Sequence, residues 1–268
     1  MKRLSMLLIA AGLLFLYACH DVGVETADAN KAVVEGYMIA GSTPTIKITQ
    51  QLAYSSSDTV VNPINNLNVE ITDGEVVFIL SNTSDGIYQN NELQVEQSKT
   101  YYLRFVYNNK EVDSQTVVPI KPSGFTASAT SIQVSDFTPG SGGGTPNRPE
   151  PVSLEWDNPD NDYYLVVVEN AEADPTPIFD DDTTSTRPPR AFRNSPTQTN
   201  LQQLNPMSFS YYGMHRVILY RLNPEYATLY EDNGNSSLTL VTPPGNISGG
   251  LGIFTGISSD TVMVRVYK

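Results

Sequence analysis

The chain is poor in the residues on which most enzymes rely. It holds one cysteine and two histidines, Cys19, His20 and His215, in 268 residues. A single cysteine excludes an intrachain disulfide, so stability has to come from an apolar core, which a chain of this length can bury. A single histidine in the body of the chain excludes a multi-histidine zinc site. Ser-His-Asp catalysis would have to use His215, and no Gly-x-Ser-x-Gly elbow is present; His215 reads as a structural residue. Positive charge is also scarce, with 16 Lys and Arg against 29 Asp and Glu and a formal net charge of −13. A surface of that sign is a poor match for nucleic-acid phosphates or anionic headgroups. Helical runs of Ala, Glu, Lys and Leu are almost absent, and after residue 19 no segment is apolar for the roughly 20 residues a bilayer requires.

What is present begins with the leader. Met1-Lys2-Arg3 forms a short positive end, Leu4 to Leu16 an apolar run, and Leu16-Tyr17-Ala18-Cys19 the close. The run is too short for a spanning helix but has the layout of an export signal. The close resembles the lipobox, whose cysteine is acylated after cleavage just before it, although Tyr17 is bulkier than the usual occupant. An ordinary secretory signal is the alternative, but it leaves an odd thiol in an exported protein, and acylation accounts for that thiol. Removing 1–18 takes away Lys2 and Arg3 and leaves 250 residues with 14 basic and 29 acidic side chains, net −15. Attachment to a membrane then depends on the lipid on Cys19, and a firm hold needs more than one acyl chain.

The remainder reads as β structure. It is rich in Tyr, Val, Ile and Thr, and 18 Gly and 18 Pro punctuate it at short intervals. Residues 19–31 form a polar tether. Strands are expected at 32–39, 45–49, 67–72, 76–80, 100–107 and 111–118, with turns at Asp73-Gly74, Asp85-Gly86 and Asn108-Asn109. That spacing predicts a first β-sandwich over 32–121. A second sandwich is expected over 122–268. Its strands are 125–134, 151–157 with Trp156 inward, 163–169, 216–222 and a closing strand 261–267. Tyr163 to Glu169 is apolar on both faces, as a central strand would be. Asn223 as N-cap with Pro224 at N1 predicts one short helix over 223–231. Residues 170–212 read as a long loop excursion and 243–254 as a Pro- and Gly-rich loop. The fold class is all-β, two tandem sandwiches of immunoglobulin/fibronectin III-like or transthyretin-like kind. That is an analogy of fold and says nothing of function.

The segments Val33-Val34-Glu35-Gly36-Tyr37, Asp85-Gly86-Ile87-Tyr88, Lys99-Thr100-Tyr101, Val118-Pro119-Ile120, Leu222 to Tyr230 and Asn246 to Phe254 occur in an order that resembles the DUF4249 family of Bacteroidetes cell-envelope lipoproteins. The resemblance covers nearly all of the mature chain, and Asn246 to Phe254 is its most specific part. It implies a β-rich outer-membrane lipoprotein, facing either the periplasm or the cell surface, often associated with a TonB-dependent transporter. No activity is established for the family, so no catalytic residues carry over.

Two acidic groups, Asp157, Asp160 and Asp162 and Asp180-Asp181-Asp182, are the remaining candidates for carboxylate chemistry or calcium. Neither has an Asp-x-Asp-x-Asp-Gly loop, and both read as solvated loop acids with no cofactor expected. Of the tyrosine pairs, Tyr101-Tyr102 and Tyr163-Tyr164 read as strand pairs with one member in the core. Tyr211 and Tyr212, beside the excursion, are candidate partner-binding residues, as are Gly249 and Gly250. Asp182-Thr183-Thr184 looks like an O-glycosylation acceptor used in Bacteroidetes envelopes, with Thr183 modified. The expectation is a non-enzymatic binding or accessory lipoprotein working with a TonB-dependent transporter. A stand-alone glycan-binding or adhesive module is the alternative.

Overall fold

A computed structural model describes residues 30–52, 61–134, 150–178, 190–230 and 244–268. Cys19, Asp180 to Asp182 and Thr183 lie outside the described residues. Period-two alternation sets the first strands. In β1 (Ala32–Ile39) Ala32, Val34 and Met38 are buried; in β2 (Thr45–Gln50) Ile46 and Ile48 are; in β3 (Val69–Thr72) Val69 and Ile71 are. β4 (Val77–Ser84) pairs with β3 across Asp73-Gly74. There Asp73 Oδ1 accepts from the N–H groups of Glu75 and Val76, and Gly74 supplies a φ of 93°. After β5 (Ile87–Gln89), β6 (Thr100–Tyr107) and β7 (Lys110–Val117) close a hairpin on Asn108-Asn109. Both asparagines have positive φ, 49° and 59°, as a two-residue turn between right-twisted strands requires.

The second unit holds β8 (Thr126–Ala127), β9 (Ser131–Gln133), β10 (Val152–Glu155) and β11 (Tyr163–Asn170). β12 (Ala191–Arg193), β13 (Leu201–Leu204), a 3-10 turn η1 (Pro206–Ser208) and β14 (Gly213–Leu222) follow, then helix α1 (Pro224–Ala227) and β15 (Leu251–Tyr267). The fold is all-β, with two sandwich-like units and, among the described residues, one short α-helix. In the second unit β13-β10-β8 packs across Leu154, Trp156, Leu204 and Phe209 from β11, β14 and β15, which present Tyr164, Val166, Val217, Leu219 and Val264. In the first unit the core gathers Val34, Met38, Ile48, Ile71, Tyr88, Leu103 and Phe254.

The two units share a strand. β15 is 17 residues long; its first part runs parallel to β1 from Val33↔Leu251 to Ile39↔Ile257. From Ile257 onward it runs antiparallel to β14, from Leu222↔Ile257 to Gly213↔Val266. One sheet therefore passes through both units, in the order β12-β11-β14-β15-β1-β2-β5-β4-β3-β6-β7, with β9 alongside β15. The expected second unit, 122–268, includes residues 251–257, which pair with β1, and Phe254, which is buried in the first core.

Three sequence expectations change for physical reasons. The loop over 243–254 gives way to strand at Leu251, and the closing strand starts there rather than at Thr261. Its glycines mark close backbone approach: a Cβ on Gly252 (φ 99°) would run into the Val34 carbonyl, and one on Gly256 into that of Val117. The strand expected over 125–134 divides into β8 and β9, which pair with β10 and β15 respectively. The excursion 170–212 contains β12, β13 and buried Ile178, so much of it is framework.

Candidate functional site

The shared sheet has one face turned into the two cores and another turned away. Alternation along β11 sends Tyr164, Val166 and Val168 to the second core and Leu165, Val167 and Glu169 to the far face. On β14, Val217 and Leu219 face the core while Tyr220 and Leu222 face away. On β1, Val34 and Met38 are core and Tyr37 and Ile39 are not. Leu165, Leu222 and Ile257 make a third small cluster where the units meet, flanked by Tyr37, Val167, Tyr220 and Tyr226. The apolar character of both faces of Tyr163 to Glu169 was its signal in the sequence.

Helix α1 walls this face. Asn223 occupies the N-cap position, but its side chain makes no capping bond; Nδ2 donates to Thr116 Oγ1 (3.0 Å) and the Val117 carbonyl (2.9 Å) of β7. Glu225 Oε1 accepts from the hydroxyls of Thr116 (3.2 Å) and Thr255 (3.1 Å). So held, α1 sets the Tyr226 ring edge-on to Tyr37, with centroids 6.1 Å apart, and stacks it at a tilt on Tyr230 at 5.6 Å. Between α1 and β12 lies a groove of about 460 Å³, lined among others by Tyr37, Leu165, Phe192, Arg193, Tyr220 and Tyr226. This is the size range of ligand pockets, with an apolar floor and a few polar tips.

Burial pushes the hydroxyl pKa values of Tyr37, Tyr220 and Tyr226 upward, and the Tyr230 hydroxyl at 3.3 Å adds to the effect at Tyr226. All three stay protonated at neutral pH and can donate. Among the described residues Glu169 is the one carboxylate lining the groove, and Arg216 holds it at 2.6 Å. Arg193 is exposed and forms no ion pair among the described residues. The arrangement can grip an apolar or ring-shaped group and meet one negative charge at its rim.

The residues singled out from sequence lie elsewhere. Tyr211 is buried, bridged through its main chain to Pro177, and Tyr212 packs on the second core, its hydroxyl donating to the Val134 carbonyl at 3.4 Å. Gly249 lies against Glu111 of β7, and Gly250 against Ala32 and Val112. These two pairs sit beside opposite ends of β15, on the order of 50 Å apart at about 3.3 Å per residue. Tyr211 and Tyr212 therefore form no common surface with Gly249 and Gly250, and Tyr211 is a packing residue.

His215 is buried too, edge-on to Phe209 at 5.1 Å. Its Nδ1 faces the Gly213 carbonyl (3.1 Å), which can only accept, so Nδ1 carries the proton; Nε2 meets the Asn170 amide at 3.2 Å. Of the acids, Asp162 and Asp160 pair with Arg221, the latter at 3.8 Å, and Asp157 accepts from Ser123 (3.0 Å). Among the described residues no three His, Cys, Asp or Glu side chains gather to hold a metal. No described helix is long and apolar enough to cross a membrane.

No curated protein matches the chain. Among solved structures, it is similar to the FN1-FN3 domains of chicken CNTN1, at 11% identity and a TM-score of 0.27 over 89% of this chain and 67% of that one. It is also similar to domains A168-A170 of titin, at 12% identity and a TM-score of 0.20 over 88% and 66%. A family described as "Domain of unknown function (DUF4249)" matches residues 20–262, and the chain belongs to that family.

Proposed function

We propose that this protein is an outer-membrane lipoprotein, anchored through Cys19, that acts by binding rather than catalysis as an accessory to a TonB-dependent transporter. The observation that carries the reading is the groove at the junction of the two units. It is apolar and walled by tyrosines, and the carboxylate of Glu169 in its lining is committed to Arg216. Such a surface suits docking of a partner. Its position also suits an anchored protein. Asn30, near the end of the expected tether, is held by Tyr107 (3.1 Å) and Asn108 (3.4 Å) of the β6–β7 hairpin. Just beyond it β1 runs from Ala32 to Ile39 at the groove, a length of about 23 Å at about 3.3 Å per residue.

The test is co-purification of C-terminally tagged protein from native outer membranes in mild detergent. Recovery of a transporter in stoichiometric amount, persisting when Cys19→Ala protein is added to those membranes, supports protein docking. Absence of any stoichiometric partner counts against it. A second reading, glycan binding, draws on the same three tyrosine rings, since Tyr combines an apolar face with a polar tip. It predicts capture of soluble polysaccharide without a partner protein.

A further inference from the structure

Among the described residues β12 is the last strand of the shared sheet, and all three of its residues are exposed. Its hydrogen bonding shows which main-chain groups are spent. Asn170 N–H donates to the Arg190 carbonyl (2.9 Å) and Asn194 N–H to the Val166 carbonyl (3.3 Å). The pairs 170/190, 168/192 and 166/194 are thus the hydrogen-bonded ones. The pairs Glu169↔Ala191 and Val167↔Arg193 are not, and the N–H and C=O groups of Ala191 and Arg193 point away from β11. This edge, unpaired among the described residues, is also the rim of the tyrosine groove, which Ala191, Phe192 and Arg193 help to line.

Charge at the edge is opposite to that of the whole chain. Among the described residues Arg193 has no carboxylate partner, and Arg190 donates from Nη2 alone to the carbonyls of Glu172 (2.6 Å) and Ala173 (3.2 Å). In a chain of net charge −13, two arginines without an acidic partner among the described residues therefore stand just before and at the end of one three-residue strand.

We infer that an extended acidic segment of a partner protein adds to β12 as a further strand. Its main chain pairs with Ala191 and Arg193, its carboxylates meet Arg190 and Arg193, and an apolar side chain between them enters the groove beside Tyr226. Main-chain pairing supplies affinity, and the arginines and the groove select the side chains. This rests on the docking reading above and adds the chemistry of the docked segment.

The experiment is selection of a displayed library of short random peptides on the full-length protein in detergent, followed by titration of the synthesised winners. Enrichment of extended sequences with Asp or Glu and one large apolar residue is the expected result. Arg193→Gln should weaken them about threefold, the scale of an exposed ion pair. Ala191→Pro should weaken them about three- to tenfold, because it deletes an outward N–H that a docking strand needs and β11 does not use. Hydrogen exchange on wild-type protein gives a readout that does not depend on the variants folding: bound peptide should slow the Ala191 and Arg193 amides. Failure to select any peptide, winners without carboxylates, or binding without that slowing would each overturn the inference. If a transporter still co-purifies in such a case, the docking reading stands and only the strand-addition chemistry falls. Polysaccharide capture that survives Ala191→Pro likewise overturns strand addition and favours the glycan reading.

Discussion

The side-chain amide of Asn223, at the start of α1, donates to the carbonyl oxygen of Val117, at the end of β7, across 2.9 Å. The bond joins the helix of the second unit to the last strand of the first, and the groove exists because α1 is held there. Thr116 hydroxyl, 4% exposed, is the hub: it meets Asn223 and Glu225, and it accepts from the N–H of Gly256 at 2.8 Å.

Glu225→Ala should therefore destabilise the whole protein. It leaves the hydroxyl of Thr255, which is fully buried, without its acceptor and strips one from Thr116. The expected loss is about 1–3 kcal/mol in urea unfolding. A cycle with Thr255→Val should give a coupling of about 0.5–2 kcal/mol. Strict additivity would mean the two groups do not act together.

Gly252→Ala should cost about 3 kcal/mol or more, or abolish folding, since left-handed strain and collision with the Val34 carbonyl act together. Gly41→Ala is the control. Its φ of 79° is similar, but nothing lies within 4 Å of the added carbon, so only strain of about 1–2 kcal/mol applies. Equal thermal shifts for the two variants would refute close approach as the reason for Gly252.

Tyr226→Ala should open the groove and reduce recovery of the partner, while Tyr102→Ala, on an exposed position of β6, should not. Tyr226 is half-buried, so a cost of about 2 kcal/mol is expected, less than for a core aromatic. Circular dichroism would confirm that both variants fold before recovery is compared. Equal recovery from the two would move the docking surface elsewhere.

His215 makes stability depend on pH. Burial lowers its pKa from 6.5, outweighing the opposing effects of the Gly213 carbonyl and Glu172. Below pH 6.5 the unfolded imidazole takes a proton that the buried one refuses, so the unfolded state binds more protons and stability is lost as pH falls. Above 6.5 both are neutral and the contribution levels off. His215→Gln should flatten the slope of unfolding free energy between pH 6.5 and 5; an unchanged slope would assign it to other groups.

Much of the frame was legible in the sequence. Alternation placed β1, β2, β6 and β7, and Asp73-Gly74 and Asn108-Asn109 placed their turns, because strand faces and positive φ are properties of a few neighbouring residues. Asn223 and Pro224 marked the start of α1, although Asn223 serves β7 rather than the helix it begins.

What sequence alone determined was therefore local: an all-β chain, the inward Trp156, a structural His215 and the placing of most strands. The tertiary structure decided what depends on partners far away in the chain. Gly252 and Gly256 look like loop residues until Val34 and Val117 lie against them. Tyr211 looks presentable until the folded chain buries it. The groove draws Tyr37, Leu165, Arg193, Tyr226 and Ile257 from five separate segments, and no spacing along the chain encodes that meeting. It arises because β15 pairs with β1 and then with β14, and that choice is made by packing and main-chain hydrogen bonds between residues 218 positions apart for β1 and 35 to 53 apart for β14.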